Sequence, residues 1–308
     1  MNIDQIIIKP TDQASATLIH RSETTCMTPE SFRTDLASAG LGRHVETIAA
    51  LAKPCIQLET VLGDDTAGRV GASRLGGEPD LPPGEPWPEW QGTPMSFLVQ
   101  IDLATVAGLP GADVLPSAGL LSFFCDAHGA VWNGHPDAGA WRVLYTPAGA
   151  SLERAPIPDA VPEDGIFTAC GLTPRPGVSL PDHGEPQKVA LGLSWDESDA
   201  YMDVRDQGAG SIPTEHRLLG WPDIVQNAEM ELECQLMSSG IEWTWDDMDR
   251  IRAELEPEIA EWRLLLQLAS DDDAGMMWGD VGLLYFWIRE PHLATRDFSR
   301  VWMIMQCG

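Results

Sequence analysis

The apolar positions of this chain fall in short runs bounded by glycine and proline, a pattern of buried strands rather than of long amphipathic helices. Phe97–Gln100 reads FLVQ and Leu264–Gln267 reads LLLQ, while Gly119–Phe124 reads GLLSFF and Gly282–Trp287 reads GLLYFW. A turn-like block precedes each pair: RLGGEPDL at Arg74–Leu81 and RLLGWPDI at Arg217–Ile224, identical at five of eight positions. Three blocks recurring in one order predict an internal duplication, with halves at about 70–145 and 213–308.

The remaining elements follow from local pattern. A helix is expected from Thr28, with Pro29 in its first turn, Phe32 and Leu36 on one face, and Gly40 and Gly42 as its stop. Val45, Ile48, Ala49 and Ala52 mark a second short helix ended by Pro54, and Cys55–Leu62 reads as a strand. Leu81–Pro94 carries five prolines and predicts an extended loop held down by Trp87 and Trp90. Strands are expected at Met95–Leu103, Gly119–Cys125, Val189–Trp195, Trp262–Leu268, Gly282–Ile288 and Val301–Gln306, with helical turns at Ser198–Arg205 and Glu290–Arg296. Residues 146–190 lack periodicity and read as the connection between halves. Met230, Leu232, Cys234 and Leu236 alternate with Glu231, Glu233 and Gln235, which predicts a strand with one wet face. Asp246 or Asp247 then caps a charged helix running to about Glu256, interrupted by Pro257. The predicted fold is α+β: mixed, mostly antiparallel sheets from a pseudo-twofold duplication within 54–308, preceded over 1–53 by an arm with a short helical segment.

Charge narrows the partners. With 47 acidic against 19 basic residues the formal net charge is −28, so a cationic patch broad enough for nucleic acid or an anionic membrane is not expected. Between Val225 and Trp262 eleven acidic residues face only Arg250 and Arg252. That stretch is what separates the halves in length: Arg74 to Gln100 is 26 positions and Arg217 to Gln267 is 50, so the acidic region is an insertion. Six scattered cysteines without a Cys-x-x-Cys pair read as reduced thiols, hence a cytoplasmic protein. The opening MNIDQIIIKPTDQ lacks the pattern of a secretory leader, and no apolar run is long enough to span a bilayer.

Candidate chemistry is sparse. Asp271, Asp272, Asp273 and Asp280 offer hard oxygen ligands, but their spacing is not that of a calcium loop, and Gly275 makes a turn the better reading. Cys125, His128 and His135 supply only three ligands at no standard zinc spacing, so no metal is expected. No nucleophile elbow, phosphate loop, dinucleotide fingerprint or H-E-x-x-H occurs, so no catalytic residue is named and no cofactor is expected. Gln100 and Gln267 end buried runs, so their amides need partners: either strand ends to tie together or a ligand near a twofold axis. The pairs Arg74/Asp80 and Arg217/Asp223 read as links pinning the two Gly-x-Pro turns. Trp221 and Trp278, with Asp280 beside the latter, offer a platform for a sugar or peptide, and Asp102 follows Gln100 on the same run.

Arg74–Gly84 with Trp87 and Pro88, FLVQIDL at Phe97–Leu103, Arg217–Gln226, WRLLLQ at Trp262–Gln267, Met276–Arg289 and Asp297–Gln306 together resemble the YwqG-like proteins, a bacterial domain family, across roughly residues 50–308. The resemblance implies an α+β fold with mixed sheets and brings no reaction with it. The leading expectation is therefore a non-catalytic binding protein whose acidic surface engages a basic protein partner, in the manner of an immunity protein or antitoxin. The alternative is a small-ligand or carbohydrate binder with a pocket between the halves, using Gln100, Asp102, Trp221, Gln267, Trp278 and Asp280. An unrecognised hydrolase ranks last.

Overall fold

The computed structural model describes residues 31–63, 68–127, 139–182, 191–206, 216–241 and 247–308. Its strands are β1 (Lys53–Val61), β2 (Arg74–Leu75), β3 (Asp80–Leu81), β4 (Glu89–Trp90), β5 (Thr93–Pro94), β6 (Ser96–Asp102), β7 (Leu120–Cys125), β8 (Trp141–Thr146), β9 (Glu153–Arg154), β10 (Cys170–Ser179), β11 (His216–Leu218), β12 (Trp262–Ala269), β13 (Leu283–Arg289) and β14 (Trp302–Gln306). Helices are α1 (Phe32–Leu36), α2 (Val45–Leu51), α3 (Leu103–Val106), α4 (Trp195–Asp206), α5 (Met230–Ser239), α6 (Met248–Ile259) and α7 (Glu290–Ala294).

Ten strands form one sheet in the order β14-β13-β12-β11-β1-β10-β2-β6-β7-β8. Every neighbouring pair is antiparallel, which bears out the mostly antiparallel character expected and leaves no parallel pair among these strands. The sheet curls until its edges meet. The Trp141 indole Nε1–H of β8 donates to the Val301 carbonyl at 2.8 Å, and the ring meets Trp302 edge-on at 4.8 Å. Phe123 and Phe286 touch across the interior at 5.1 Å between ring centres, so the result is a nearly closed, barrel-like sheet. One face of each long strand fills that interior, with Ile56, Leu58, Val99, Ile101, Phe123, Leu266, Leu268 and Phe286 among the buried residues.

The strand order reads alike from both edges. The central pair β1–β10 is flanked on each side by a short Arg-Leu strand, then a glutamine strand, a glycine-led strand and a closing strand. Arg74 lies opposite Gln100 and Leu75 opposite Val99, while Arg217 lies opposite Gln267 and Leu218 opposite Leu266. The register slips between Phe97 and Val99 and again between Leu264 and Leu266. A bulge at each place bends its strand and increases the local twist, which helps the sheet curl. After each short strand two residues take positive φ: Gly76 and Gly77 in one, Leu219 and Gly220 in the other. A Cβ on Gly77 would lie 2.7 Å from the Ala169 Cβ, and one on Gly220 would lie 2.8 Å from the Cys55 Cβ.

Several expectations change. Met230–Leu236 is not a strand but the body of α5. Alternation on a helix puts Met230 and Cys234 on one side, against Trp262, Leu264, Tyr285 and Trp287 of the sheet. Leu232 and Leu236 then fall on the opposite side, against Ile251 of α6. A helix sandwiched between a sheet and a second helix needs two apolar stripes, and two opposed stripes imitate a period of two. Residues 146–190 include β10, the partner of β1. Its Pro174 and Pro176 hid it, and they are tolerated because β2 pairs only with Cys170 and Gly171, leaving that flank edge-like. Strand β8 had no sequence expectation, Leu191–Ser194 are not strand, and α6 continues through Pro257 to Ile259. The expected start at Thr28 and Pro29 lies outside the described residues, whereas Phe32 and Leu36 are buried on α1 as expected.

Gly220→Ala should cost more than Gly84→Ala in urea unfolding. Both take positive φ, but the new Cβ meets the Ser179 Oγ at 2.4 Å in the first case and nothing within 4 Å in the second. Strain alone accounts for about 1 kcal/mol and the overlap adds roughly 1–3 kcal/mol; equal losses would contradict the close approach.

Candidate functional site

Two buried carboxylates organise the turns on either side of the centre. Asp80 is fully buried and accepts from the Gly71 N–H at 2.8 Å, the Gln100 Nε2 at 2.7 Å, the Arg154 Nε at 2.7 Å and the Arg74 guanidinium. Its own N–H donates to Gln100 Oε1 at 2.8 Å. Asp223 repeats the arrangement, accepting from Gln267 Nε2 at 2.8 Å, Arg205 at 3.4 Å and the Arg217 guanidinium, while its N–H donates to Gln267 Oε1 at 2.8 Å. Burial pushes Arg74 down to about 10 against the pull of Asp80, so it stays charged at neutral pH. Gln100 and Gln267 therefore tie turns together, as the strand-end reading holds. They stand on β6 and β12 with four strands between them, so the two amides do not meet. Gln306 does a similar task, accepting from the Val225 and Gln226 N–H groups at 3.0 Å each.

The aspartate-rich segment is a turn. Asp271 is buried, bridges to Met276, and accepts from the Ala274 N–H at 2.9 Å and the Thr60 hydroxyl at 3.0 Å. The Ala269 N–H donates to His216 Nδ1 at 3.1 Å, which leaves the proton on Nε2 for Asp271, also at 3.1 Å. Burial acts to raise the Asp271 carboxyl, but the His216, Ala274 and Thr60 donors outweigh it and hold it well below the usual carboxylate range. Asp272 and Asp280 are exposed, and among the described residues no group of three or more His, Cys, Asp or Glu is placed to hold a metal ion. His128 and His135 lie outside the described residues.

The concave surface is elsewhere. A cleft of about 680 Å³ opens between the loop Gly111–Pro116 on one side and Leu293, Ala294 and Arg296 on the other, floored by Lys53, Leu219, Gly220, Arg263 and Leu264. A second cleft of about 330 Å³ adjoins it, sharing Lys53, Gly220, Arg263 and Leu264, and is walled by Trp221, α5, Trp262 and Trp287. Lys53 Nζ lies 3.3 Å from the centre of the Trp221 ring, a cation–π contact. Trp221 is fixed on several sides: its N–H donates to Ser179 Oγ at 2.8 Å, its indole to the Leu51 carbonyl at 2.7 Å, and its carbonyl accepts from Arg217 at 3.1 Å. Arg263 spans the junction, donating to the carbonyls of Ala260 and Trp262 and pairing with Glu290 at 2.6 Å. Burial raises the Glu231 carboxyl, with Lys53 and Arg263 opposing the shift. Leu219 holds φ of 62° where the other half has Gly76, so the groove contains a residue in a backbone conformation that costs about 1 kcal/mol or more outside glycine.

A family model described as a domain of unknown function, DUF1963, matches residues 73–307. The chain belongs to this family. No curated protein matches it. The DUF1963 segment contains both Arg–Asp–Gln clamps and nearly all of the groove, but not β1, which supplies Lys53 from the middle of the sheet.

The six residues singled out from sequence are scattered. Trp221 lines the smaller cleft. Asp102 caps α3, accepting from the Ala104 N–H at 3.0 Å, and Trp278 is buried against Phe167 with its indole donating to the Ala269 carbonyl at 3.2 Å. Gln100, Gln267, Trp278 and Asp280 line neither cleft. Lys53, Trp262, Arg263 and Trp287, which line the clefts, were not singled out from sequence. Lys53 carries no motif, but Trp262 and Trp287 stand at the ends of WRLLLQ and GLLYFW, and their outward aromatic bulk was a usable signal.

Asp271 contributes stability above the unfolded carboxyl value near 4, and loses it as pH falls through the lower folded value. Urea midpoints for Asp271→Asn should therefore trail the parent most at neutral pH, with the gap closing below about pH 4. A gap that stays constant down to about pH 3 would show that the carboxylate charge is not what His216 and Thr60 hold.

Proposed function

We propose that this DUF1963 protein binds a small ligand in the groove formed by the two adjoining clefts. The carrying observation is the shared floor of Lys53, Gly220, Arg263 and Leu264, on which a stacked lysine and a fixed tryptophan meet an apolar wall. Convergent polar groups in an apolar recess are the usual form of a small-molecule site. We also read the halves as copies of one ancestral unit related by a pseudo-twofold, in keeping with the YwqG-like resemblance. The matched registers of Arg74/Gln100 and Arg217/Gln267 support this, and on that reading the larger cleft lies where the copies meet.

A thermal-shift screen against sugars, nucleotides and small carboxylic acids tests the proposal. A ligand at 100 times its Kd adds about 2.7 kcal/mol to stability, and Ala294→Trp, which fills the larger cleft, or Lys53→Met should diminish that gain. A silent screen, or a gain untouched by both substitutions, would refute the groove as the site.

A basic protein partner is the second reading. On α6, Arg250 is occupied by Asp247 and Glu254, and Arg252 by Glu229, which leaves the exposed Asp249 and Glu256 to set the outward field. Co-purification at low ionic strength should recover a basic protein that is released at high salt; no such protein at either salt counts against this reading.

A further inference from the structure

We propose that the larger cleft takes a short peptide with free termini and apolar side chains, its ammonium group against Asp113 and its carboxylate against Arg296. This rests on the groove being the binding site and assigns the ligand class to the larger of its two clefts.

The two walls of that cleft carry opposite charges that nothing else engages. Asp113 stands in the loop Gly111–Pro116, and Arg296 follows α7 on the other side. Both are exposed, neither side chain has a hydrogen-bond or ion-pair partner among the described residues, and the two do not pair with each other. The other charges of the lining are occupied. Arg263 pairs with Glu290 at 2.6 Å, and Lys53 stacks on Trp221 and faces Glu231 of the adjoining cleft. A monoanion would suit Arg296 and be repelled by Asp113, and a monocation would meet the reverse. A ligand with one charge of each sign suits both walls.

Between the charged walls the lining is apolar, with Pro54, Leu115, Leu219, Leu293 and Ala294 beside Val114, which is 49% exposed. Apolar side chains on the ligand would cover that surface. The volume of about 680 Å³ lies in the upper part of the range of roughly 300–1,000 Å³ typical of small-molecule sites, which suits two or three residues better than one.

The backbone gives independent support. Among the described residues four other than glycine hold positive φ, and two of them, Leu219 at 62° and Arg296 at 60°, line this cleft. The Arg296 N–H donates to the Leu293 carbonyl at 3.0 Å just past the end of α7, a position that glycine fills at less cost. Residues held in such conformations gather at binding sites. Here the turn keeps an arginine where its backbone is disfavoured, and the charge on the cleft wall is what glycine could not supply.

The test is isothermal titration calorimetry of the whole chain, to millimolar concentration, with leucyl-leucine, its N-acetyl derivative, its C-terminal amide and free leucine. The proposal expects leucyl-leucine to bind and the loss of either terminal charge to weaken it about tenfold or more, the worth of one charge-assisted contact. Arg296→Gly should bind the dipeptide and its amide alike, and Asp113→Asn the dipeptide and its acetyl derivative alike, which ties each terminus to its wall. Arg296→Gly should also unfold at no lower urea concentration than the parent, because glycine suits the turn, so its weaker binding cannot be a loss of fold. Free leucine binding as tightly as leucyl-leucine overturns the peptide assignment, and equal binding of the free and blocked dipeptides overturns the two-charge assignment; either result, if Ala294→Trp abolishes the binding, leaves the groove as the site. No binding by any of the four overturns the inference outright, while the groove itself still stands or falls with the broader screen.

Discussion

A carboxylate largely withdrawn from water is stable only if donors replace the hydration contacts it gives up. Here Asp80 and Asp223 are each supplied by a glutamine amide, an arginine from their own turn and a second arginine from outside it. Removing one partner of such a cluster typically costs about 3–5 kcal/mol, because the charge left behind is the expensive part. The two clamps therefore fix the RLGGEPDL and RLLGWPDI turns as rigid bodies, and the positive-φ residues inside them are tolerated because the clamps over-determine the backbone.

That rigidity reaches the groove through Trp221. Arg217, the clamp arginine, also donates to the Trp221 carbonyl, so the clamp and the ring on which Lys53 stacks move as one piece. In the other half Glu78 occupies the position of Trp221 and Gly76 that of Leu219. The two sides of the sheet share the clamp but not the groove surface; on the Arg217 side it is combined with α5 and α6 of the acidic stretch. The acidic stretch thus has a structural task as well as a charge: it covers the outer face of β12–β14, which the tryptophan-bearing loop of β4 and β5 does for the first half.

The strands of both halves were legible because each is an apolar run with a glycine or proline border, and the Arg–Asp links because the same six-residue spacing occurs twice. What stayed hidden has specific causes. The alternation in Met230–Leu236 was real, but its two stripes serve two different neighbours, which no single-face reading separates. Pro174 and Pro176 disguised β10, and β10 is half of the central pair. At the site, Trp221 was the one residue picked that lines the groove, since aromatic insertion into a repeated turn is visible in sequence. Lys53, Arg263 and Trp287 come together only through the order β13-β12-β11-β1, which depends on pairings far apart in the chain. No helix among the described residues is long and apolar enough to cross a membrane.

The cations at the junction of the two clefts are matched by acid, Arg263 by Glu290 and Lys53 by Glu231, so the fixed geometry around Trp221 rather than net charge sets the groove apart. The most direct measurement of that coupling is a pair of proton–nitrogen correlation spectra, of the parent and of Gln267→Ala, which removes a partner of Asp223 without altering the lining of either cleft. The account predicts that the Trp221 indole signal shifts in the variant. A Trp221 signal left in place while the backbone around Asp223 changes would contradict it.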